Sequence, residues 1–300
     1  MKNQFDFVII GAGLAGIAIA RNLPTNKSFI ILDKARGIGG RVATRRLGGH
    51  AINHGLEEFR LEHPMLKALI KTGVEHQLLA NDEDRIIPLG SLNQWMKHLA
   101  EGLNIKKEAE VKSFRKNDDY YEILDKDQNL LACGKKIIIT SPAPQAKQLL
   151  INSGFDANFL SPITYSSCVQ FLLLLKEFIS FKPKENDFFY LKKMDSFSDK
   201  NYVYHFEVKE DFFNDFLQLE KNEIAEKFLN ALNISPELVI DSHAHKWRYS
   251  QANNHLETAD QLRLKAQHIY LAGDYFYDPG INGVMKSVEE LIKSLTNNAH

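Results

Sequence analysis

Two cysteines in 300 residues, Cys133 and Cys168, cannot form a disulfide framework and lack metal-ligand spacing. A stapled secreted scaffold and a cysteine-rich metal site are therefore excluded, and a reducing, cytoplasmic setting fits. An excess of one charge is missing too. Lys and Arg number 37 against 38 Asp and Glu, for a formal net charge of −1, which leaves no electrostatic footprint for nucleic acid or an acidic membrane surface. Long apolar runs are lacking: residues 171–175 run straight into Lys176 and Glu177 and are too short to cross a bilayer. The first 20 residues imitate a secretory signal, with Lys2, an apolar stretch and Ala18-Ile19-Ala20 as a cleavage site. Asp6 interrupts the basic end, however, and cleavage there would remove the main motif of the chain. There are no internal repeats or low-complexity tracts. The hydrophobic content of 44% and charged content of 25% are those of a soluble globular protein, and the length suits about two domains.

The motif at stake is Gly11-Ala12-Gly13-Leu14-Ala15-Gly16. Residues 7–10 are a short β-branched run ended by glycine, which reads as a buried parallel strand entering a turn. Gly11 allows the turn, Gly13 lets a pyrophosphate approach bare backbone, and Gly16 lets the next helix pack closely on the strand. Residues 14–23 suit that helix, whose N-terminus favours an anion, and residues 29–32 form a second apolar strand. Asp33 follows 17 residues after Gly16, about where an acid takes the ribose hydroxyls of an adenosine. Strand, glycines, helix, strand and acid in order read as dinucleotide binding. Arg36 and Arg41 flank Gly39 and Gly40 and are candidate phosphate neighbours; Arg45 and Arg46 suit a solvated surface.

Farther on, residues 61–73 read as an amphipathic helix with Leu61, Met65, Leu66, Leu69 and Ile70 on one side and Gly73 as its stop. Residues 92–99 read as another, ended by Gly102, with Trp95 on the apolar stripe and hence in the core. The period then changes to two, predicting a meander of strands at 105–114, 120–124 and 130–140. Its last strand ends in Ile137-Ile138-Ile139, continuous rather than alternating, as in a strand buried on both faces of the central sheet. Residues 140–144 turn into a helix that tolerates Pro144 in its first turn. Residues 163–249 read as a second, mostly antiparallel domain, with strands at 166–175, 188–192, 202–208 and 238–249 and helices at 211–218 and 220–232. In the last strand, alternation puts His243, His245, Trp247 and Tyr249 on one face, suited either to a planar ligand or to a packed sheet surface. An offset of one would turn Lys246 and Arg248 inward instead. No metal site is expected, because the histidines have no carboxylate at ligand spacing. Residues 267–271 form a strand ending at Gly273-Asp274, followed by a helix over 284–295.

The set of Gly11 to Gly16, Asp33, the Arg36-to-Arg41 segment and Gly273-Asp274 resembles the flavin amine oxidase superfamily. More narrowly, residues 33–41, Thr140-Ser141-Pro142-Ala143-Pro144-Gln145 and His245-Lys246-Trp247-Arg248-Tyr249 resemble its bacterial renalase branch. The resemblance implies an α/β fold: a Rossmann-type FAD-binding domain with a parallel sheet and β-meander, interrupted by an α+β substrate domain with an antiparallel sheet. The FAD-binding domain would take residues 1–60, 101–150 and 262–300, and the substrate domain residues 61–100 and 151–261. It also implies a non-covalent FAD, since neither cysteine falls in the C-terminal motif that carries the covalent link in monoamine oxidases. Gly11, Gly13, Leu14, Ala15 and Gly16 would hold the pyrophosphate and Asp33 the adenosine ribose, with Lys34 and Arg36 beside them. Val111 would meet the adenine through its backbone. Gly39, Gly40 and Arg41 would follow the pyrophosphate and ribityl chain, Gly273 and Asp274 the ribityl or pyrophosphate side, and Ile281, Asn282, Gly283 and Val284 would lie under the flavin.

The implied activity is oxidation of a dihydronicotinamide isomer, 2- or 6-dihydro-NAD(P), by hydride transfer to flavin N5, with O2 as acceptor and H2O2 as product. Such chemistry needs positioning more than a catalytic base, so no catalytic side chain is assigned. His245, Trp247, Tyr249 and Leu56 are the expected substrate-pocket residues. One departure from the family lies at Asn53-His54-Gly55-Leu56-Glu57-Glu58-Phe59, where Glu57 and Glu58 would repel an anionic substrate if they faced it. Two other readings stay open: an amine oxidase or desaturase-like flavin dehydrogenase on another small molecule, and a flavin-binding protein with little turnover. A small-molecule partner is expected; nucleic acid and membrane are not.

Overall fold

The computed structural model describes residues 4–60, 62–83, 85–181, 188–256, 264–277 and 279–297. They pack as two compact units. The first comprises Met1–Ala43, Gly55–Thr164 and Ala252–His300, and the second Thr44–His54 and Tyr165–Gln251. Grouped by packing, residues 61–100 thus fall in the first unit and the short segment Thr44–His54 in the second.

The first unit is built on a seven-stranded sheet in the order Ile105–Lys106, Phe29–Leu32, Gln4–Ile10, Leu130–Ile139, Tyr120–Leu124 and Ser113–Asn117, with Ile269–Leu271 added on Leu130–Ile139. Gln4–Ile10 runs parallel to both neighbours, with Ile9 opposite Ile31 and Ile138. Leu130–Ile139 divides its far edge. Residues Ala132 to Gly134 pair antiparallel with Tyr120–Leu124, and Ile137 to Ile139 pair parallel with Ile269–Leu271. Ile137, Ile138 and Ile139 are fully buried, which explains the unbroken apolar run.

The expected strand over 105–114 is two strands. Ile105–Lys106 pairs in parallel with Phe29–Leu32. The chain then bends at Glu108, whose φ is 54°, and the meander starts only at Ser113. The amides of Glu108 and Ala109 donate to Ala35 O and Asp33 O at 3.2 and 2.8 Å. A period-two pattern records which side a residue faces, not which strand it pairs with, so the change of partner left no trace in it.

Gly73 is not a helix stop. The helix is Pro64–Glu75, and a Cβ at Gly73 would lie 2.8 Å from Leu79 Cδ1 and 2.9 Å from Trp95 Cδ1. The glycine admits the fully buried Trp95 ring. Leu61 lies outside the described residues. The next helix, Leu92–Ala100, opens with a Ser91–Gln94 capping box. A small sheet of Phe59–Arg60, Arg85–Pro88 and Leu79–Asp82 was not foreseen; its strands are too short to show periodicity. The helices Leu14–Asn22 and Ile281–Asn297 share a core through Ile17, Val288 and Leu291.

In the second unit, a four-stranded sheet runs in the order Phe189–Ser196, Tyr202–Val208, Tyr165–Leu175 and Val239–Ala252, the first three antiparallel. Odd-numbered residues of Tyr165–Leu175, such as Phe171 and Leu173, join a core with Phe216 and Phe228 from the helices Phe213–Gln218 and Lys221–Leu232. Even-numbered Leu172 and Leu174 face the other way. They are covered by Leu47 and Ile52 of the hairpin Thr44–Leu47/His50–Asn53. Its Gly48-Gly49 turn has φ of 51° and 92°, a conformation suited to a tight two-residue hairpin. Among the described residues no helix is long and apolar enough to cross a membrane.

Candidate functional site

In the first unit the three motif glycines have three different surroundings. Gly11 has φ 113°, and a Cβ there would meet Thr140 Oγ1 at 2.5 Å. A Cβ at Gly16 would lie 2.0 Å from Gly11 O, whereas one at Gly13 would meet nothing within 4 Å. Turn, open approach and tight helix packing are thus physically separate. Gly13 caps the helix Leu14–Asn22 with no side-chain hydrogen bond and no acid in the first turn, so the helix-end amides remain available to an anion.

The carboxylate of Asp33 is fixed over this turn: Oδ2 accepts from the Ala12 amide at 2.6 Å and Oδ1 from the Ala35 amide at 2.7 Å. The loop that follows returns beside the glycines. Gly39 bridges to Gly13 and donates from its amide to Ala12 O at 2.9 Å, and its φ of 114° favours glycine. Lys34 and Arg36 are exposed and Val111 is half-buried in the bend before the meander.

Arg41 and Asp274 are brought together. Arg41 Nη1 and Nη2 donate to the two carboxylate oxygens at 2.6 and 2.9 Å, and the Ala252 amide donates to Asp274 Oδ2 at 3.2 Å. The Gly273 amide donates to Ser287 Oγ at 3.0 Å. The Asn282 side chain is occupied with backbone, accepting from the Glu62 and His63 amides at 3.2 and 3.1 Å and donating to Arg60 O at 3.3 Å. Gly283 is buried, and Ile281, Val284 and Leu56 pack on the core of this unit. Glu58 is paired with Arg85 at 2.8 Å.

In the second unit the alternation of Val239–Ala252 is resolved. Ala244 enters the helix-side core and Lys246 Nζ donates to Leu219 O at 2.7 Å, so the odd-numbered face is the one carrying His243, His245 and Trp247. His54 joins that face from the end of the hairpin. Its ring lies 4.8 Å from His245 and 5.4 Å from Trp247, and His245 lies 4.2 Å from Trp247. Trp247 Nε1 donates to His54 O and Gln170 Oε1, both at 3.3 Å. Tyr249 instead makes an edge contact with Tyr165 at 5.6 Å.

Burial lowers the pKa of His54 to about 3, with the charges of His245 and His243 adding to the effect. Burial likewise lowers His243 and His245 to about 4, helped by Arg45 and Lys221. At neutral pH these are uncharged rings, and His54 Nδ1 is buried without a hydrogen-bond partner. Among the described residues no group of three His, Cys, Asp or Glu side chains could hold a metal ion. Burial and the nearby Glu207 carboxylate raise the pKa of the Cys168 thiol, so it is no nucleophile.

A family model described as an NAD(P)-binding Rossmann-like domain matches residues 9–72. The first unit is a Rossmann fold. A chloroplastic protoporphyrinogen oxidase of Nicotiana tabacum is 30% identical over 80 residues, covering 26% of this chain and 15% of that protein. Protoporphyrinogen oxidase 1 of Arabidopsis thaliana is 29% identical over 82 residues, with the same coverage. The chain thus aligns with about 15% of the length of the curated relatives it matches. Similarity of structure extends much farther. A proposed protoporphyrinogen oxidase from Exiguobacterium superposes with a TM-score of 0.68 at 14% identity, covering 99% of both chains. A cyclohexylamine oxidase from Brevibacterium oxydans gives 0.60 at 11%, covering 97% of this chain and 99% of that one. A putrescine oxidase variant gives 0.61 at 10%, covering 98% and 99%.

The Rossmann unit therefore gathers Gly11 to Gly16, Asp33, Gly39, Gly40 and Arg41 around one loop, while His245 and Trp247 belong to an aromatic row in the second unit. His54 and Gln170 were missed by sequence reasoning. His54 stands two residues beyond the buried Ile52 and one past the end of the short strand His50–Asn53, and that spacing was the available signal. Gln170 interrupts the apolar Val169 and residues 171–175 of its strand, but nothing local shows what it meets.

Proposed function

We propose that the protein is an FAD-dependent oxidoreductase of renalase-like type. In this reading it oxidises a 2- or 6-dihydro-NAD(P) isomer and passes the electrons to O2, giving H2O2. The supporting observation is the fit of the Rossmann loop to a dinucleotide: open space at Gly13, closely packed glycines on either side, and an Asp33 carboxylate held by two amides. Gly11 to Gly16 with the first-turn amides of Leu14–Asn22 would hold the pyrophosphate, Asp33 the ribose, and Gly39 to Arg41 the adjoining chain. The Asp274 carboxylate orients the Arg41 guanidinium for that contact. Neither cysteine lies in the C-terminal return, which supports non-covalent binding. When bound, FAD supplies a hydride acceptor at N5 and a route for two electrons to O2.

The remaining work is positioning. Loss of hydride turns the dihydronicotinamide into an aromatic pyridinium, so no side chain must remove a proton. The neutral rings of His245 and Trp247, tilted 51° to each other and contacted by His54 and Gln170, would offer aromatic faces against which a substrate ring packs. The names of the structural neighbours favour a second reading, oxidation of an amine. To separate the two, the purified protein's released flavin is identified. The holoenzyme is then mixed anaerobically with 2- and 6-dihydro-NAD(P), 4-dihydro-NAD(P)H, putrescine and cyclohexylamine while flavin bleaching is followed. Bleaching by the isomers alone is the expected result. Bleaching by an amine alone replaces this reading with the second, and bleaching by nothing leaves a flavin-binding protein without these activities.

A further inference from the structure

We propose that Arg45 is a specificity-determining residue that pairs with a phosphate of the substrate. The inference rests on the dihydronicotinamide reading above and explains how an anionic dinucleotide is preferred over an amine. Arg45 lies directly opposite Ile52 in the hairpin, two residues before Leu47, and both Leu47 and Ile52 are buried against Leu172, Leu174 and Val203. By alternation Arg45 and His54 therefore leave the hairpin on this same sheet-facing side, while Arg46, opposite Ala51, leaves on the other. Arg45 is exposed and has no carboxylate partner among the described residues.

The electrostatic surroundings agree. The charge of Arg45 reaches His54, His243 and His245, and that of Lys221 reaches His243 and His245. A carboxylate, Asp241, is felt at His243, and it is occupied by the Gly48 and Ser242 amides at 3.0 and 2.8 Å. A row of uncharged rings, His245 and Trp247 tilted 51° to each other, is thus bordered by positive charge. A cationic amine is disfavoured there. A ring joined to phosphate is favoured, its ring on His245 and Trp247 and its phosphate on a guanidinium fork.

Anaerobic flavin reduction is measured for wild type, R45Q, R45K and R46Q with 6-dihydro-NADP and with the phosphate-free dihydronicotinamide riboside of the same ring isomer. For R45Q the expected result is an apparent Kd for the dinucleotide raised about tenfold, the loss of one charge-assisted contact. Its limiting reduction rate and its Kd for the riboside stay unchanged. R45K recovers part of the affinity and R46Q behaves as wild type. Quenching of Trp247 fluorescence by NADP⁺ reports the same order without turnover. If R45Q weakens both compounds equally or neither, or if R46Q matches R45Q, the assignment of Arg45 is wrong while the proposed function stands. If wild type is reduced by neither compound, the function and the inference fall together.

Discussion

The Arg41 guanidinium grips Asp274 through two parallel hydrogen bonds of 2.6 and 2.9 Å, joining positions 233 residues apart. The Asp274 side chain is 2% exposed and that of Arg41 33%, so the two ends of the pair are energetically unequal. Removing Arg41 takes the cation from a buried carboxylate that keeps the Ala252 amide; removing Asp274 leaves a cation that water can still reach. We expect R41A to destabilise the fold by about 3 kcal/mol and D274A by less, about 2 kcal/mol. Urea denaturation at pH 7 gives the order, and a larger loss in D274A would contradict this account of the pair.

The motif glycines separate stability from cofactor retention. G16A drives a methyl into Gly11 O, 2.0 Å from the ideal Cβ position, and should leave little folded protein. G13A enters open space at an ordinary φ of −77°, so its melting temperature in the FAD-free form should match wild type while FAD affinity drops. Thermal unfolding combined with FAD titration tests both. Equal destabilisation of the two variants would mean that Gly13 is a structural glycine only.

The histidine row makes stability depend on pH. The folded-state pKa of His54, about 3, lies below its ordinary 6.5, and His243 and His245 lie at about 4. In acid the unfolded chain therefore takes up protons that the folded chain refuses. The contribution is fully present above about pH 6.5 and is lost as pH falls toward about 4 for His243 and His245 and about 3 for His54. The unfolding free energy of wild type should decline over that window, and that of H54Q should decline less steeply. Parallel pH profiles for the two proteins would show that His54 does not carry the dependence.

How much was legible follows from range. Gly11 to Gly16 and Asp33 lie within one strand, turn, helix and strand, where neighbouring residues dictate backbone geometry, and the structure has that order. The buried Ile137 to Ile139 strand and the return at Ile269–Leu271 were readable because burial on both faces removes polar residues from the sequence. The strand break after Lys106 was not, because pairing partner leaves no periodic mark. Nor was Gly73, whose reason is a tryptophan ring 22 positions away.

The sequence by itself determined the glycine loop, the longer strands and helices of both units, and the alternation that put His243, His245 and Trp247 on one face. Tertiary structure decided what those residues meet. It committed Asp274 to Arg41, tied Asn282 to the backbone near His63, turned Tyr249 toward Tyr165 and brought His54 over His245 from a hairpin about 190 positions earlier. Local steric rules are written in adjacent residues and can be read there. The environment that keeps a histidine neutral or leaves an arginine unpaired is assembled from distant segments, and it exists only once the chain has folded.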